Sequence, residues 1–582
     1  MLTLGIAGLA DVAGFLERRY PEQSNGESRI VQGMDAAAVL LSNGKVTAAV
    51  SQERFDRIKK SPAFPYDAIR YCLDAAGARL SDVQTVCFNF NFGRYRPIFA
   101  TSADARQYWE QCLSPDALRT MLRTGFPGSD AVTIRHMDHH LAHFHAALAS
   151  SGFDRCLGVV MDAAGEVTST SVYGYDSGTV SQLARYPVRQ SLGIFYSLIT
   201  RFLGYAFNED EYKVMGLASF GDPQRYAEFF RSAVLLRPEG QLEIPCLALN
   251  RDVADGLFFR KSAEAIVRGL GFDGADCSME QRADVSAALQ QRFTEALFHV
   301  CRHFRRQTGM PNLLLSGGCA ENCAAIGLLR EAGMFDRIHV AYASGDEGTA
   351  LGTAAAHVFA HGEPLRVLGE MPFFGPAPEA ATLLPLIEQF PGLQLHEFSG
   401  QWPMLDAAAA DIAADRIVAL CNGRMEYGAR ALGNRSLLAL PSRAANKERI
   451  NLAIKKRQNY RPFAPAVTAE SAHRYFALNA GEEYPYMTML TRVREEAIPR
   501  LPAITHVDGT ARVQTVNRQH NPTFHYLLKR LELLTGVPVV LNTSYNVNHQ
   551  PIVCSELEAV RTFVDMGIDA LYIANAKVTR RA

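Results

Sequence analysis

Four of the chain's sixteen histidines crowd into the heptapeptide HHLAHFH at 139–145. His139 and His143 are spaced i, i+4, so on a helix their rings share one face, with Cβ atoms about 5–6 Å apart. Two imidazoles so placed can converge on one ion, at about 2.0–2.1 Å each for a zinc-like metal. An isolated His-x-x-x-His is more often a packing or solvated cluster, and the local density of histidine is what favours a site. Two imidazoles need carboxylate company. Asp162 closes the apolar run CLGVVMD just before a glycine turn, and Asp346 sits in a second such turn, YASGDEG. Acids beside glycines at the carboxyl ends of strands are where open α/β sheets bind ligands, although each also fits the commoner role of a helix cap. A His2Asp2 set with an open position suits an iron-like or zinc-like ion that binds substrate oxygens.

The elements that must hold these groups read as strand, glycine turn and helix. NLLLSGGCAEN and IHVAYASGDEGTALGTAAAHVF repeat that grammar, the latter with Gly345 and Gly348 in the turn, and such turns aim backbone N–H groups at phosphate. TLGIAG, AAAVLLSNGKVTAAV and VQTVCFNF read as strands, and TSVYGY is expected to pair behind CLGVVMD. PYDAIRYCLDAA, Pro65 to Ala76, has the spacing of an amphipathic helix. Residues 11–33 read as an extended loop inserted in a hairpin. The class is α/β, with no internal repeat visible in the sequence.

Composition loosens into Pro, Gly and scattered apolar residues around 361–380, a candidate linker. The chain is accordingly divided into domains 1–365 and 381–582 joined by 366–380. The second block has strands at IVALCNG, SLLALP, VPVVLNTSYN and DALYIA. It also carries Arg424, Arg430, Arg435, Lys455, Lys456, Arg457, Arg461 and Arg512. Interleaving of RALGNRS with glycine and apolar residues argues against a fully solvated charged face, whereas adjacent Lys455 and Lys456 compete for one role.

At 582 residues the chain exceeds one hydrophobic core. Lys+Arg (59) and Asp+Glu (60) nearly cancel, giving no electrostatic case for nucleic acid or a membrane surface. No run approaches the roughly 18 apolar residues of a membrane span, and the first residues lack the basic start of a secretory signal. Eleven scattered cysteines fit reduced core thiols of a cytosolic protein. Cys319 and Cys323 make a weak metal spacing and read as structural.

Long motifs nearly end to end resemble the NodU/CmcH family of O-carbamoyltransferases, including the tobramycin-type and ansamycin-type enzymes. They are DAAAVLLSNGKVTAAVSQERFDRIKKSPAFP, HHLAH, EYKVMGLASFGDP, LSGGCAEN, SGDEGTALG, Arg424 through RALGNRSLLALP, INLAIKKRQNYRPFAPAV, HVDGTARVQTV and LNTSYNVNHQPIV. The resemblance implies an N-terminal actin/Hsp70-like (ASKHA) domain, similar to the threonylcarbamoyl-transfer subunit of tRNA modification, and a C-terminal YrdC-like domain. Carbamoyl phosphate and ATP, with Mg2+, would give carbamoyl-adenylate and pyrophosphate. A hydroxyl of a small natural product would then accept the carbamoyl group. Matched by motif, His139, His143, Asp162 and Asp346 would bind Fe(II) or another divalent metal. Gly317, Gly318 and Asn322 would line a nucleotide pocket, with Lys213 and Glu211 near the reacting centre. Arg430, Lys455, Arg512, Ser544 and Asn546 would hold phosphates, a task for which fixed cations and Arg forks are suited. Lys213, Asp35, Lys455 and Arg512 are the candidate catalytic residues.

Two departures stand out. The family's usual His-Asp is Met34-Asp35 here, and a thioether takes no proton near neutrality. His136, His140 and His145 are the substitutes nearest in sequence, or the acceptor is an amine that needs less help from a base. The family's usual Gly-Glu-Pro after NTSYNV is His549-Gln550-Pro551, beside the expected phosphate site. Residues 11–33, a candidate acceptor-side lid, and 93–130 are the expected sources of acceptor specificity. Another acyl group, a tRNA-modification component or a non-catalytic partner are the competing readings, and a homodimer is the expectation for assembly.

Overall fold

The alanine- and valine-rich runs of the first part of the chain form two five-stranded sheets with the same strand order. The computed structural model describes residues 1–21, 32–129, 132–250, 258–362 and 371–581. The chain divides into two compact units, Met1–Glu53 with Lys60–Leu368, and Arg54–Lys59 with Gly369–Ala582.

In the first unit, β1 (Leu2–Ala7), β2 (Ala37–Ser42), β3 (Lys45–Ser51), β4 (Thr85–Phe88) and β5 (Thr133–His136) lie in the order β3-β2-β1-β4-β5. The first three run antiparallel, whereas β4 and β5 join parallel to β1. The second sheet contains β6 (Arg155–Met161), β7 (Thr168–Asp176), β8 (Thr179–Pro187), β9 (Asn312–Ser316) and β10 (Arg337–Val340), ordered β8-β7-β6-β9-β10. Its senses repeat those of the first sheet. The duplication was not visible in the sequence because corresponding strands, LTLGIA and RCLGVVM, share little beyond apolar character. The first unit is thus a mixed α/β framework of two like-ordered sheets.

Two expected elements come out differently. The run 36–50 is not one strand but the β2–β3 hairpin. Asn43 (φ 50°) and Gly44 (φ 74°) supply the two left-handed residues of its tight turn. The expected loop 11–33 contains helix α1 (Val12–Arg19), which buries Val12, Phe15 and Leu16 at helical spacing. The remainder of that insertion, 22–31, lies outside the described residues. The predicted helix forms as α2 (Tyr66–Asp74), burying Ala68, Ile69, Cys72 and Leu73. TSVYGY does pair behind β6, with Val159 opposite Val172.

Helix α3 (His139–Ser151) follows β5, and helix α5 (Thr349–Ala360) follows the turn after β10; between them in sequence lies the short α4 (Glu211–Leu217). The helices α3 and α5 pack backbone to backbone at Gly352, where a Cβ would stand 1.7 Å from the Ala142 carbonyl oxygen. Only glycine permits that approach, and it sets the distance between the histidine helix and the Asp346 turn.

The second unit is built on an eight-stranded sheet. Its strands are β11 (Leu393–Glu397), β12 (Val418–Cys421), β13 (Arg435–Ala439), β14 (Ala464–Thr468), β15 (Gln514–Val516), β16 (Val539–Ser544), β17 (Ala570–Ile573) and β18 (Ala576–Arg580), ordered β11-β18-β17-β12-β13-β16-β14-β15. Alternation sends Ala419 and Cys421 into one apolar layer and Val418 and Leu420 into the other. Both faces are covered, which is why these strands read as unbroken apolar runs. Of the expected linker, 366–370 lie outside the described residues. The part from 371 is tied to the second unit by Gly375 N–H to Met425 O (3.0 Å), Met425 N–H to Pro376 O (3.0 Å) and Tyr427 N–H to Pro372 O (2.7 Å). No described helix is long and apolar enough to cross a membrane.

Replacing Gly352 with alanine should cost about 1–3 kcal/mol or more, because the added methyl meets backbone and not a movable side chain. A thermal melt of Gly352→Ala should therefore show a lower Tm for the first unit; an unchanged Tm would contradict the close packing.

Candidate metal centre and phosphate site

All four candidate ligands stand at the carboxyl ends of elements of the second sheet or at the helix beside it. Asp138 caps α3 by accepting the Leu141 N–H at 3.2 Å, and Gly152 (φ 66°) closes the helix. Both histidine side chains are fully buried. Asp162 follows β6 directly, and Asp346 lies in the turn that leads into α5. His139 Nε2 is 3.1 Å from His143 Nε2, 3.3 Å from Asp162 Oδ2 and 3.4 Å from Asp346 Oδ1. His143 Nε2 is 3.9 Å from Asp162 Oδ2 and 3.4 Å from Asp346 Oδ1. The four donors lie within 4.8 Å of one another.

The donor set fits a metal. Inward lone pairs and two carboxylates repel unless a cation lies among them. Four tetrahedral donors at about 2.0–2.1 Å from an ion stand roughly 3.4 Å apart, close to the separations seen. The outer ring nitrogens are engaged. His139 Nδ1 faces the Asn89 carbonyl oxygen at 3.3 Å, and since a carbonyl only accepts, the N–H is there and Nε2 is left to ligate. His143 Nδ1 lies 3.4 Å from Ser316 Oγ. Phe90 stacks on His139, with ring centroids 4.2 Å apart and planes within 8°.

Oxygen by oxygen, the carboxylates are also oriented. The Gly318 N–H donates to Asp162 Oδ1 at 3.1 Å, which frees Oδ2 for the centre. Gly317 makes that possible: its φ is 88°, and a Cβ there would lie 2.2 Å from the Met161 carbonyl oxygen. Asn89 Nδ2 donates to Thr349 Oγ1 (2.7 Å), which donates to the Asp346 carbonyl (2.5 Å). Glu166 receives the N–H groups of His139 (3.1 Å) and Asn91 (2.8 Å). Burial opposes a charged His139, yet the fields of Asp346 and Asp162 lift its imidazole well above the ordinary range. Against their own burial, the histidines hold both aspartates below theirs.

In the same unit, Asp35 faces Lys60, with Oδ2 to Nζ at 3.8 Å. Both residues are left-handed, at φ 58° and 53°, a strained choice for side-chain-bearing residues that clusters at working sites. Burial pushes the Asp35 carboxyl up to about 7; Lys60 pulls it back, and Glu53, Asp346 and Glu321 add to the rise. Met34 is buried, and its sulfur receives Asn208 Nδ2 at 3.6 Å. The three substitute histidines are placed otherwise. His145 packs between Phe144 and Phe359. His136 stacks on Phe88 with its Nδ1 at the Phe90 carbonyl, and His140 Nδ1 meets Ser171 Oγ at 2.9 Å.

Lys213 is buried in α4 and ion-paired to Asp210 at 2.8 Å, while Glu211 accepts from Ser197 Oγ (2.5 Å) and the Asn208 N–H (2.7 Å). Asn322 exchanges amide hydrogen bonds with Gln290 and caps the helix Cys323–Glu331 through Ala325 N–H.

In the second unit the structure separates the two neighbouring lysines. Lys455 is 3 % exposed, whereas Lys456 is exposed at a left-handed φ of 48°. Lys455 Nζ donates to the Ser544 carbonyl (2.6 Å), Ser544 Oγ (3.3 Å) and Asn546 Oδ1 (3.2 Å), so three expected phosphate ligands meet. Burial, with Arg457, Arg461 and Lys59 nearby, drives its pKa well down. Arg430 and Arg512 are half-buried on other loops. Arg435 is not a phosphate ligand: fully buried, it donates to the carbonyls of Gly423 (3.1 Å), Asn434 (2.9 Å) and Pro376 (2.8 Å). Arg424 donates to the carbonyls of Gly375 and Phe374. His549, where relatives were expected to carry glycine, stands at φ 63°, which costs a side chain about 1–2 kcal/mol.

Comparison with known proteins gives the family. The model described as Carbamoyltransferase N-terminus matches residues 123–355, and that described as Carbamoyltransferase C-terminus matches 409–580. The nodulation protein NolNO of Sinorhizobium fredii is 37% identical over 94% of this chain and 79% of its own length. The chain belongs to the NodU/CmcH carbamoyltransferase family. A 3'-hydroxymethylcephem-O-carbamoyltransferase of Amycolatopsis lactamdurans is 35% identical over 54% of the chain and 56% of its own length. Among solved structures, full-length HypF in its phosphate- and nucleotide-bound form overlaps 56% of the chain and 54% of its own at 13% identity and a TM-score of 0.31, too loosely to add to the assignment.

For this carbamoyltransferase the sequence did not single out Asn89, Phe90, Glu166, Lys60 or Ser316 as supports of the site. Lys60, Glu166 and Ser316 lie inside or beside the quoted motifs, which was the available signal; Asn89 and Phe90 end an ordinary strand run. Removing His139 or Asp346 (His139→Ala, Asp346→Ala) should abolish bound metal in elemental analysis of the purified protein. Ser316→Ala should weaken it about 10- to 100-fold. Because protons compete for a raised His139, metal affinity should climb with pH through a window above the usual histidine range, and a flat profile there would count against this site.

Proposed function

We propose that this carbamoyltransferase is an ATP-dependent enzyme that makes carbamoyl-adenylate and passes the carbamoyl group to a hydroxyl of a small natural product. The convergence of His139, His143, Asp162 and Asp346 carries the reading. The name of the cephem relative, which specifies O-carbamoyl transfer to a hydroxymethyl group, supports a hydroxyl acceptor.

The atoms balance in three steps. Water opens carbamoyl phosphate to carbamate and inorganic phosphate. A carbamate oxygen attacks the α-phosphorus of ATP and displaces pyrophosphate. The acceptor oxygen attacks the carbamoyl carbon and displaces AMP, giving up its proton to a base. We assign the phosphate chemistry, with Mg2+ on the nucleotide, to the second unit, read as YrdC-like. Lys455 would take up a proton when polyanions arrive, and Arg430 and Arg512 would fork phosphate oxygens. Gly317 and Gly318 would line the adenylate's pocket in the first unit, where the Gly318 N–H is already engaged by Asp162. His139, His143, Asp162 and Asp346 would hold Fe(II), which would supply Lewis acidity toward the substrate.

Asp35 is the base we favour for the acceptor, with Lys60 fixing its carboxylate. Met34 cannot do that work, whereas a carboxyl raised to about 7 is matched to proton transfer near neutrality. Lys213, already held by Asp210, would act by positioning α4.

Wild-type protein given ATP and carbamoyl phosphate without acceptor should release pyrophosphate, and none would sink the first half of the reading. Asp35→Asn should spare that release yet slow transfer about 10²- to 10⁴-fold. The transfer rate of the wild type should rise as pH climbs through about 7, as the carboxyl loses its proton, and Asp35→Asn should flatten that rise.

A further inference from the structure

Six residues from the early part of the sequence, Arg54–Lys59, belong to the second unit. Arg54 is 3 % exposed and donates to the Gly428 carbonyl at 3.0 Å, two residues before Arg430. Phe55 packs against Met425, Ala431, Ile552 and Cys554. Arg57 donates to the carbonyls of Pro551 (2.7 Å) and Ile552 (2.8 Å) and pairs with Glu558 at 3.3 Å. It does so from a left-handed φ of 61°. The loop it grips begins at Asn546, whose Nδ2 donates to the Gln550 carbonyl at 2.7 Å and whose Oδ1 receives Lys455.

Arginines turned on backbone carbonyls fix the course of loops. Here the two loops so fixed carry Arg430 on one side and Asn546, two residues beyond the end of β16 at Ser544, on the other. Lys59 follows two residues after Arg57, whose grip on Pro551 and Ile552 seats the segment on the loop that begins at Asn546, the partner of Lys455. In keeping with that placement, the Lys59 charge disfavours a charged Lys455. Gathering positive charge around a desolvated lysine is unfavourable alone and is relieved by a polyanion.

We propose that Arg54–Lys59 is a working part of the second unit's phosphate site: Arg54 and Arg57 are positioning residues for its two loops, and Lys59 is a further phosphate-binding cation. This rests on the reading of that unit as the place where carbamoyl phosphate and ATP react.

The test is steady-state pyrophosphate release by the full-length protein from ATP and carbamoyl phosphate. Lys59→Ala should raise KM for the phosphate substrates about tenfold, the loss of one charge-assisted contact, with kcat little changed. Lys59→Arg should recover most of it. Arg57→Ala should instead lower kcat, with metal content at the His2Asp2 centre retained as the sign that the chain has folded. An unaltered KM in Lys59→Ala overturns the proposal even if Arg57→Ala fails to fold. No pyrophosphate from the wild type would overturn the underlying reading, and this inference with it.

Discussion

The metal centre of the first unit answers to the mutual repulsion of four close donor atoms. Two imidazole nitrogens and two carboxylate oxygens within 4.8 Å have no stable arrangement without a positive charge among them. The protein therefore holds three donors from behind, with a carbonyl on His139, a hydroxyl on His143 and a backbone N–H on Asp162, and it pins the main chain of Asp346 through Thr349. The glycine contact between α3 and α5 sets the spacing, and the doubled sheet delivers the strand ends. Remove the demand for a cation and most of these interactions lose their purpose.

The second unit poses the opposite electrostatic problem. Lys455 is buried among other cations, with its amine turned on neutral oxygens. A carboxylate there would neutralise the pocket permanently. Neutral oxygen partners leave the field of the surrounding cations unbalanced, so that phosphate has something to bind.

Much of this was legible in the sequence because the chemistry is local there. His139 and His143 are one helical turn apart, and Asp162 and Asp346 each sit beside a glycine turn. The apolar runs gave β6, β9, β12, β13, β16 and β17 by the same logic, but not β14 or β15, whose segments were read only as parts of longer motifs. What escaped was non-local or conformational. The duplication of sheets is a property of topology, not of residue identity. The fate of Arg424 and Arg435 depended on carbonyls from 374–376 and other loops that no spacing rule points to. The choice between Lys455 and Lys456 came down to one left-handed residue, and the hairpin at Asn43-Gly44 had its turn signal in plain view.

The short segment Arg54–Lys59 also bears on how the molecule is made. It leaves the ribosome with residues 60–368 still to come before the rest of its own unit begins. At about 5–20 residues per second, it waits on the order of 25–100 s for the last of the backbone carbonyls it will hold, at Pro551 and Ile552. During that time two arginines and a phenylalanine have no native partner in the second unit, while the flanking strand β3 and Lys60 are already available to the first. The segments that flank this peptide can therefore find their neighbours in the first unit before the peptide's own partners have been made.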